Sequence, residues 1–119
     1  MIRWSVRGGV VLGLLAVSLT AGSVATAEPA AEQTLVVEMA SSPNRFAPTE
    51  IVVAPGTTVT WRTVGGSHTT TSENGLWDSV DRLPVGESYS FTFNDVGEFG
   101  FFCRPHQDQG MVGKVVVRS

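Results

Sequence analysis

The sequence predicts an all-β protein with the fold of a β-sandwich. Residues 35–39, 58–62 and 88–93 each alternate apolar and polar side chains, with the period of two that places one face of a strand against a core. Short clusters rich in Gly, Pro, Asn and Asp separate these segments and indicate turns. No stretch after residue 27 has a convincing helical repeat. Seven or so short strands between such turns are typical of a β-sandwich.

The first 27 residues are predicted to be a secretory signal peptide. Arg3 and Arg7 supply the positive charge, residues 10–19 the apolar stretch and residues 25–27 a small-residue cleavage site. An uncleaved membrane anchor is the alternative, but Gly, Ser and Thr dilute the apolar stretch, which is short for a membrane span. We therefore expect export to the periplasm or the extracellular space, with a mature chain that begins at Glu28.

One small domain is predicted after the signal peptide. The 92 residues that remain fit a single domain, which we place at residues 34–119 after a flexible lead-in at residues 28–33. This part holds six Lys and Arg against eleven Asp and Glu, a net charge of about −5, without a block of like charge. We therefore expect no binding of nucleic acid. We also expect no transmembrane span in the mature chain, and a monomer.

The remaining strands are predicted from apolar runs bounded by turn residues. In chain order they are residues 50–53, 68–72, 98–103 and 112–118. Residues 73–82 connect two of them, and at most a turn of helix is expected there. Aromatic side chains are expected to fill the core: Trp61, Tyr89, Phe91, Phe93, Phe99 and Phe101. Trp77, in the connection, is either a lid on the core or a surface residue.

The chain has one cysteine, Cys103. An exported protein enters an oxidising compartment, where thiols usually form disulfides. Three explanations for a single thiol are open: it is buried and inert, it forms a disulfide with another chain, or a metal ion binds it as thiolate and protects it from oxidation. His106 and Met111 follow within eight residues, and their proximity favours the metal.

Together with His68, these residues supply the ligand set of a blue-copper site: one thiolate, two imidazoles and one thioether. Cys103 ends a predicted strand and Met111 precedes the next, so the loop between them can bring three side chains to one point. Pro105 stiffens this loop, and Gly110 permits the turn back. His68 must arrive from a distant strand end. Zinc is the main competing metal, but structural zinc sites bind Cys and His without a thioether.

Two stretches of the chain resemble the cupredoxin (blue-copper) family, in particular the plastocyanins and similar small bacterial blue-copper proteins. The first stretch is residues 46–61, which begins with Phe-Ala-Pro. The second is residues 97–115, with the Cys-x-Pro-His core, a five-residue step from His106 to Met111 and the ending Gly-Met-Val-Gly-Lys-Val. The likeness extends over residues 35–118.

This resemblance implies an eight-stranded Greek-key sandwich that binds one copper ion near one end, and no other cofactor. The implied ligands are His68, Cys103, His106 and Met111. His68 would be the buried imidazole, whereas His106 would reach the surface inside a mostly apolar patch through which electrons pass. The candidates for that patch are Gly65, Gly66, Pro105 and Gly110.

The chain departs from the plastocyanin pattern beside the implied ligands. Thr63 and Thr69 stand where plastocyanins usually have asparagines before and after the first histidine, and Phe102 stands where a tyrosine is expected. The hydrogen bonds around the copper should therefore differ from those of plastocyanins. Arg104, beside the implied patch, is expected either to be solvated or to steer an acidic partner.

Electron transfer is the predicted function. The chain would be a small soluble carrier that cycles between Cu(I) and Cu(II), with exported or membrane-bound redox proteins such as a cytochrome as partners. Copper storage or delivery outside the cytoplasm is the alternative, although such proteins often use Met- and His-rich clusters, and only Met39 and Met111 follow the predicted cleavage site. No enzymatic activity is expected, because copper oxidases and nitrite reductases need further histidines and this chain has two.

Overall fold

Alternating side chains build a structure of short strands, as the sequence predicts. The computed structural model describes residues 33–119, so the predicted signal peptide, residues 1–27, and the lead-in up to residue 32 lie outside the described residues. The ten described strands are β1 (Thr34–Ala40), β2 (Arg45–Ala47), β3 (Glu50–Val53), β4 (Thr57–Thr63), β5 (Ser67–His68), β6 (Thr71–Ser72), β7 (Leu83–Pro84), β8 (Ser88–Phe93), β9 (Gly97–Phe102) and β10 (Val112–Val117).

The strands form two four-stranded sheets and one small pair. One sheet has the order β2-β1-β4-β8, the other has the order β3-β10-β9-β6, and β5 pairs with β7. Two of the pairings, β1 with β4 and β3 with β10, are parallel, and the others are antiparallel. The chain passes repeatedly from one sheet to the other, as in a Greek-key sandwich. The predicted fold class is confirmed.

The core lies between the two sheets and is aromatic at its centre. Strand β4 alternates buried with less buried residues, and its Trp61 is fully buried. Phe101 of β9 packs edge-on against Trp61, with 5.3 Å between ring centroids. Trp77, only 4% exposed, stacks on Trp61 at 5.1 Å. Trp77 is therefore a lid on the core and not a surface residue.

Residues 68–72 do not form the single strand that the sequence predicts. The two ends of this segment join different partners: His68 pairs with Leu83 of β7, whereas Thr71 pairs with Phe102 of β9. The segment therefore crosses from the small pair to the second sheet. Leu83–Pro84 was predicted as part of a turn but forms strand β7, because it pairs with Ser67 and His68. Strand β2 was not predicted.

Two connections also differ from their predictions. Residues 73–82 contain turns but no turn of helix, and Asp78 forms an isolated bridge with Thr71. Gly75, with φ of 81°, turns the chain back. The predicted loop after Cys103 contains a 3-10 helix, Arg104–Gln109. No helix among residues 33–119 is long and apolar enough to cross a membrane.

Candidate metal centre

Three side chains predicted as ligands converge at one end of the sandwich. His68 lies at the end of β5, Cys103 follows β9, and His106 belongs to the 3-10 helix. His68 Nδ1 and His106 Nδ1 are 3.2 Å apart. Cys103 Sγ lies 3.8 Å from His68 Nδ1 and 3.4 Å from His106 Nδ1. Residues that are 35 positions apart in the sequence thus present one sulfur and two nitrogens to a common point.

The spacing of these three atoms fits a metal ion. A circle through atoms separated by 3.2, 3.4 and 3.8 Å has a radius of about 2 Å, close to metal–nitrogen and metal–sulfur bonds of about 2.0–2.3 Å. A thiolate with two imidazoles in a plane is also the donor set that copper electron-transfer sites use. His68, Cys103 and His106 are thus positioned to bind one metal ion.

Backbone hydrogen bonds fix the loop that carries Cys103 and His106. His106 N–H donates to the Cys103 carbonyl at 3.2 Å, and Cys103 N–H donates to the Met111 carbonyl at 3.1 Å. Pro105 lies in the first turn of the 3-10 helix, where its fixed φ angle is helical. Gly110 ends that helix with φ of 84°, a value that glycine adopts readily. The loop therefore closes on itself and holds its side chains in place.

The hydrogen bonds of His68 leave one ring nitrogen free for a metal. Its Nε2 donates to the Gly65 carbonyl at 2.7 Å, so in the neutral ring Nδ1 carries the lone pair that faces the other two donors. His68 is fully buried. Burial lowers the pKa of His68, as do the nearby His106 and Arg82, and together these outweigh the Gly65 hydrogen bond, which acts to raise it. The neutral form that binds metals is thus favoured.

The two histidines and Met111 differ in their exposure to solvent. His106 is partly exposed, whereas His68 is buried, as the resemblance implies. Met111 is fully buried and lies beside the cluster, since its N–H donates to the His106 carbonyl at 3.3 Å. Its assignment as the fourth ligand stays a prediction.

Thr69 makes the hydrogen bonds next to the sulfur. Its N–H points to Cys103 Sγ at 3.4 Å, and its Oγ1 accepts a hydrogen bond from Arg104 N–H at 2.9 Å. The sequence flagged Thr69 as a departure from plastocyanins, but it could not show that the side chain bridges to residue 104. A hydroxyl here joins the segment after β5 to the loop of Cys103.

Arg104 makes an ion pair that the sequence did not predict, and its proposed role toward an acidic partner stays a prediction. Its guanidinium is bound to Asp78 at 2.9 Å and to the carbonyl of Val80 at 2.6 Å, while the side chain remains 41% exposed. Partial burial acts to raise the pKa of Asp78, but hydrogen bonds from Val80 N–H and Arg104 and the positive charge of Arg104 outweigh it and lower the pKa. The sequence offered no signal for this pairing, because 26 residues separate the partners.

Comparison with known proteins assigns the chain to a family. Residues 33–118 match the family model described as copper binding proteins of the plastocyanin/azurin family. The chain belongs to this family. Copper is accordingly the metal that His68, Cys103 and His106 are positioned to bind, and the predicted zinc alternative is set aside.

Two relatives illustrate the similarity in sequence. The chloroplastic plastocyanin of Tetradesmus obliquus is 35% identical over an alignment of 89 positions that covers 61% of this chain. The halocyanin of Natronomonas pharaonis is 38% identical over an alignment of 99 positions that covers 77% of this chain. The chain spans 58% of the length of the first relative and 60% of the second.

Solved structures share the fold of this member of the plastocyanin/azurin family. The oxidised plastocyanin of Dryopteris crassirhizoma superposes with a TM-score of 0.63 at 24% identity, covering 70% of this chain and 99% of that one. At this identity the likeness concerns the fold alone. An oxidised amicyanin variant gives a TM-score of 0.62 at 28% identity and covers 71% of this chain and 81% of its own.

Proposed function

We propose that this protein is a one-electron carrier whose copper is bound by His68, Cys103, His106 and Met111. The observation that carries the proposal is the convergence of one thiol and two imidazoles, with a buried methionine hydrogen-bonded through its backbone to the same loop. Copper would supply the redox change between Cu(I) and Cu(II). The residues of the chain supply a fixed set of donors that suits both states.

Rigidity of the donors supports electron transfer over copper storage or delivery. His68 is held by Gly65, and the sulfur of Cys103 accepts a hydrogen bond from Thr69. Both side chains are fully buried. A carrier benefits from ligands that move little when the charge of the ion changes, whereas a delivery protein needs ligands that a recipient can displace.

His106 is the proposed point of electron exchange, because it is the partly exposed member of the three converging ligands. The surface beside it is proposed to dock the redox partners, which would be exported or membrane-bound proteins such as a cytochrome. The patch residues inferred from the resemblance are partly or fully exposed: Gly65, Gly66, Pro105 and Gly110.

The predicted signal peptide supports redox partners that are exported or membrane-bound. Residues 1–27 carry the features of a secretory signal peptide, and we propose that the mature protein works in the periplasm or the extracellular space as a monomer. We also propose that it catalyses no reaction, since both histidines of the chain belong to one site and none is left for a second copper. Mass spectrometry of the exported protein should give a chain that begins at Glu28.

Visible spectroscopy of the copper-loaded protein tests the ligand set. One equivalent of Cu(II) should produce the intense blue colour of a copper–thiolate bond, and a colourless oxidised protein would refute the proposal. Met111→Leu should keep the colour but raise the reduction potential, because a donor to the oxidised ion is lost. Met39→Leu is the matched control, since Met39 is equally buried but lies in β1. Equal behaviour of the two variants would exclude Met111 as a ligand.

Two rates distinguish a carrier from a storage protein. We expect the reduced protein to pass electrons rapidly to a soluble c-type cytochrome and to lose copper only slowly to an excess of a strong chelator. Rapid loss of copper together with slow electron exchange would favour storage or delivery. His106→Gly should slow electron exchange, because it removes the exposed ligand edge, and added imidazole should restore it.

A further inference from the structure

Arg104 uses its guanidinium to hold the segment that follows β6. Nη1 lies 2.9 Å from both carboxylate oxygens of Asp78 and 3.1 Å from Thr71 Oγ1, and its two hydrogens are shared among these three acceptors. Nη2 donates to the carbonyl of Val80 at 2.6 Å. One side chain therefore binds one residue of β6 and two residues of the connection that follows it, all of them distant in sequence. The planar fork of arginine suits such multiple contacts, whereas the ammonium of lysine would not reproduce them.

The backbone at Val80 indicates that this connection does not take its shape unaided. Val80 has φ of 67°, a conformation that is unfavourable for a β-branched residue. Its side chain is 65% exposed, so burial does not compensate for the strain. Instead, its N–H donates to Asp78 Oδ1 at 2.7 Å, and its carbonyl accepts from Arg104. The contacts with Asp78 and Arg104 therefore stabilise the strained turn.

The same arginine is connected to the sulfur through its own backbone. Arg104 directly follows Cys103, and its N–H donates to Thr69 Oγ1. Thr69 in turn directs its N–H at Cys103 Sγ, and its Oγ1 lies 3.2 Å from Thr71 Oγ1. Arg104 thus contacts residues 69–80 from the loop that carries Cys103, through its backbone at Thr69 and through its guanidinium at the residues that follow.

We propose that Arg104 and Asp78 form a positioning clamp that holds Thr69 N–H against the sulfur of Cys103 and so raises the reduction potential of the copper. The proposal rests on the proposed function, since it concerns the same site. A hydrogen bond to the thiolate withdraws electron density from the sulfur, and this favours Cu(I) over Cu(II). When the clamp is removed, the hydrogen bond from Thr69 N–H to the sulfur lengthens. Cu(II) is then stabilised relative to Cu(I), and the reduction potential falls.

Two variants that remove opposite charges test the clamp. In Arg104→Gln and in Asp78→Ala, the equilibrium constant for reduction should fall about threefold to tenfold, as expected when a hydrogen bond to a charged group weakens. If the two residues acted only through their charges, loss of the positive one would lower the potential and loss of the negative one would raise it. In the double variant, the equilibrium constant for reduction should fall no further than in either single variant, because each substitution already removes the whole clamp.

The Lys114–Glu98 pair supplies the matched control. It is also an exposed ion pair, at 3.1 Å, and lies between β10 and β9. Lys114→Gln should shift the potential little, because an exposed charge is screened. The colour of the copper–thiolate bond should change in both clamp variants and not in the control.

The outcomes separate this proposal from the function on which it rests. A colourless wild-type protein would refute the function itself. A blue wild-type protein whose two clamp variants shift in opposite directions, or no more than Lys114→Gln, would refute the clamp alone. Should Arg104→Gln fail to fold, the direction of the shift in Asp78→Ala decides the question.

Discussion

The orientation of the His68 ring depends on a glycine two residues earlier. Gly66 has φ of 75°, and a Cβ there would lie 3.1 Å from His68 Nε2 and 3.3 Å from Ser41 Cβ. That Nε2 is the atom that donates to the Gly65 carbonyl. A methyl group at Gly66 would therefore press on the ring at the point where its orientation is fixed.

We expect Gly66→Ala to destabilise the protein by about 1–3 kcal/mol, because of the positive φ, and to weaken copper binding through the contact with His68. Gly75→Ala is the matched control: Gly75 has φ of 81° but no atom within 4 Å of the added Cβ. Urea unfolding and copper titration measure the two effects. If the two variants bound copper equally well, the contact with His68 would have no functional role.

The burial of His68 predicts a pH dependence of the metal-free protein. In the unfolded chain this imidazole takes up a proton near pH 6.5, whereas in the folded protein its pKa is lower, chiefly because of burial. Below pH 6.5 the unfolded state therefore binds more protons, and the free energy of unfolding should decrease as the pH falls from there through the folded pKa. Above pH 6.5 this contribution is fully present.

Thermal unfolding of the metal-free protein between about pH 7.5 and pH 5 checks this expectation, since histidines are the side chains that ordinarily titrate in this range. His68→Gln should show a weaker decrease in Tm on acidification than the wild type. An unchanged slope in that variant would mean that another group causes the pH dependence.

At the scale of elements, the connection between β6 and β7 contributes to the core despite its lack of regular structure. Trp77 stacks on Trp61 and packs against Phe91 and Phe93, with 5.1 and 5.2 Å between ring centroids. Its Nε1 donates to Thr70 Oγ1 at 2.9 Å. The connection therefore closes the aromatic core through Trp77, and its next residues, Asp78 and Val80, are held by Arg104.

Trp77→Ala should reduce the free energy of unfolding by about 3–5 kcal/mol, because it opens a cavity beside Trp61. Trp77→Phe, which keeps an aromatic ring but loses the hydrogen bond to Thr70, should cost only about 1 kcal/mol. Denaturant unfolding of the metal-free variants gives both values. Similar losses in the two variants would show that the hydrogen bond, and not the packing, is what matters.

At the scale of the whole molecule, most core residues lie outside the metal centre, although the buried Cys103 and Met111 belong to the same hydrophobic cluster. The fully buried Val37, Val59 and Trp61 lie on long strands of the sandwich, whereas His68 ends the short β5, and Cys103 and His106 lie in the loop after β9. We therefore expect the two sheets to bury their apolar faces in the metal-free protein as well. This differs from small metal-dependent domains, in which the ion supplies the folding energy.

The metal-free protein should therefore keep its β-sheet structure, and copper should raise its Tm through binding to the folded state alone. Circular dichroism and thermal unfolding with and without one equivalent of copper measure this. A random-coil spectrum for the metal-free protein would contradict the expectation that the sandwich folds without copper. Cys103→Ser, with copper present, should behave like the metal-free wild type.

The sequence by itself determined the fold class, the family and the candidate ligands, because alternation along a strand and spacing within a short loop are local properties. Cys103, His106 and Met111 lie within nine residues, so their association could be read directly. The split of residues 68–72 between two sheets could not, since strand pairing depends on partners far away in the chain. Only the tertiary structure brought His68 to the other donors and Arg104 to Asp78, because contacts across 26 to 38 residues leave no periodic signal.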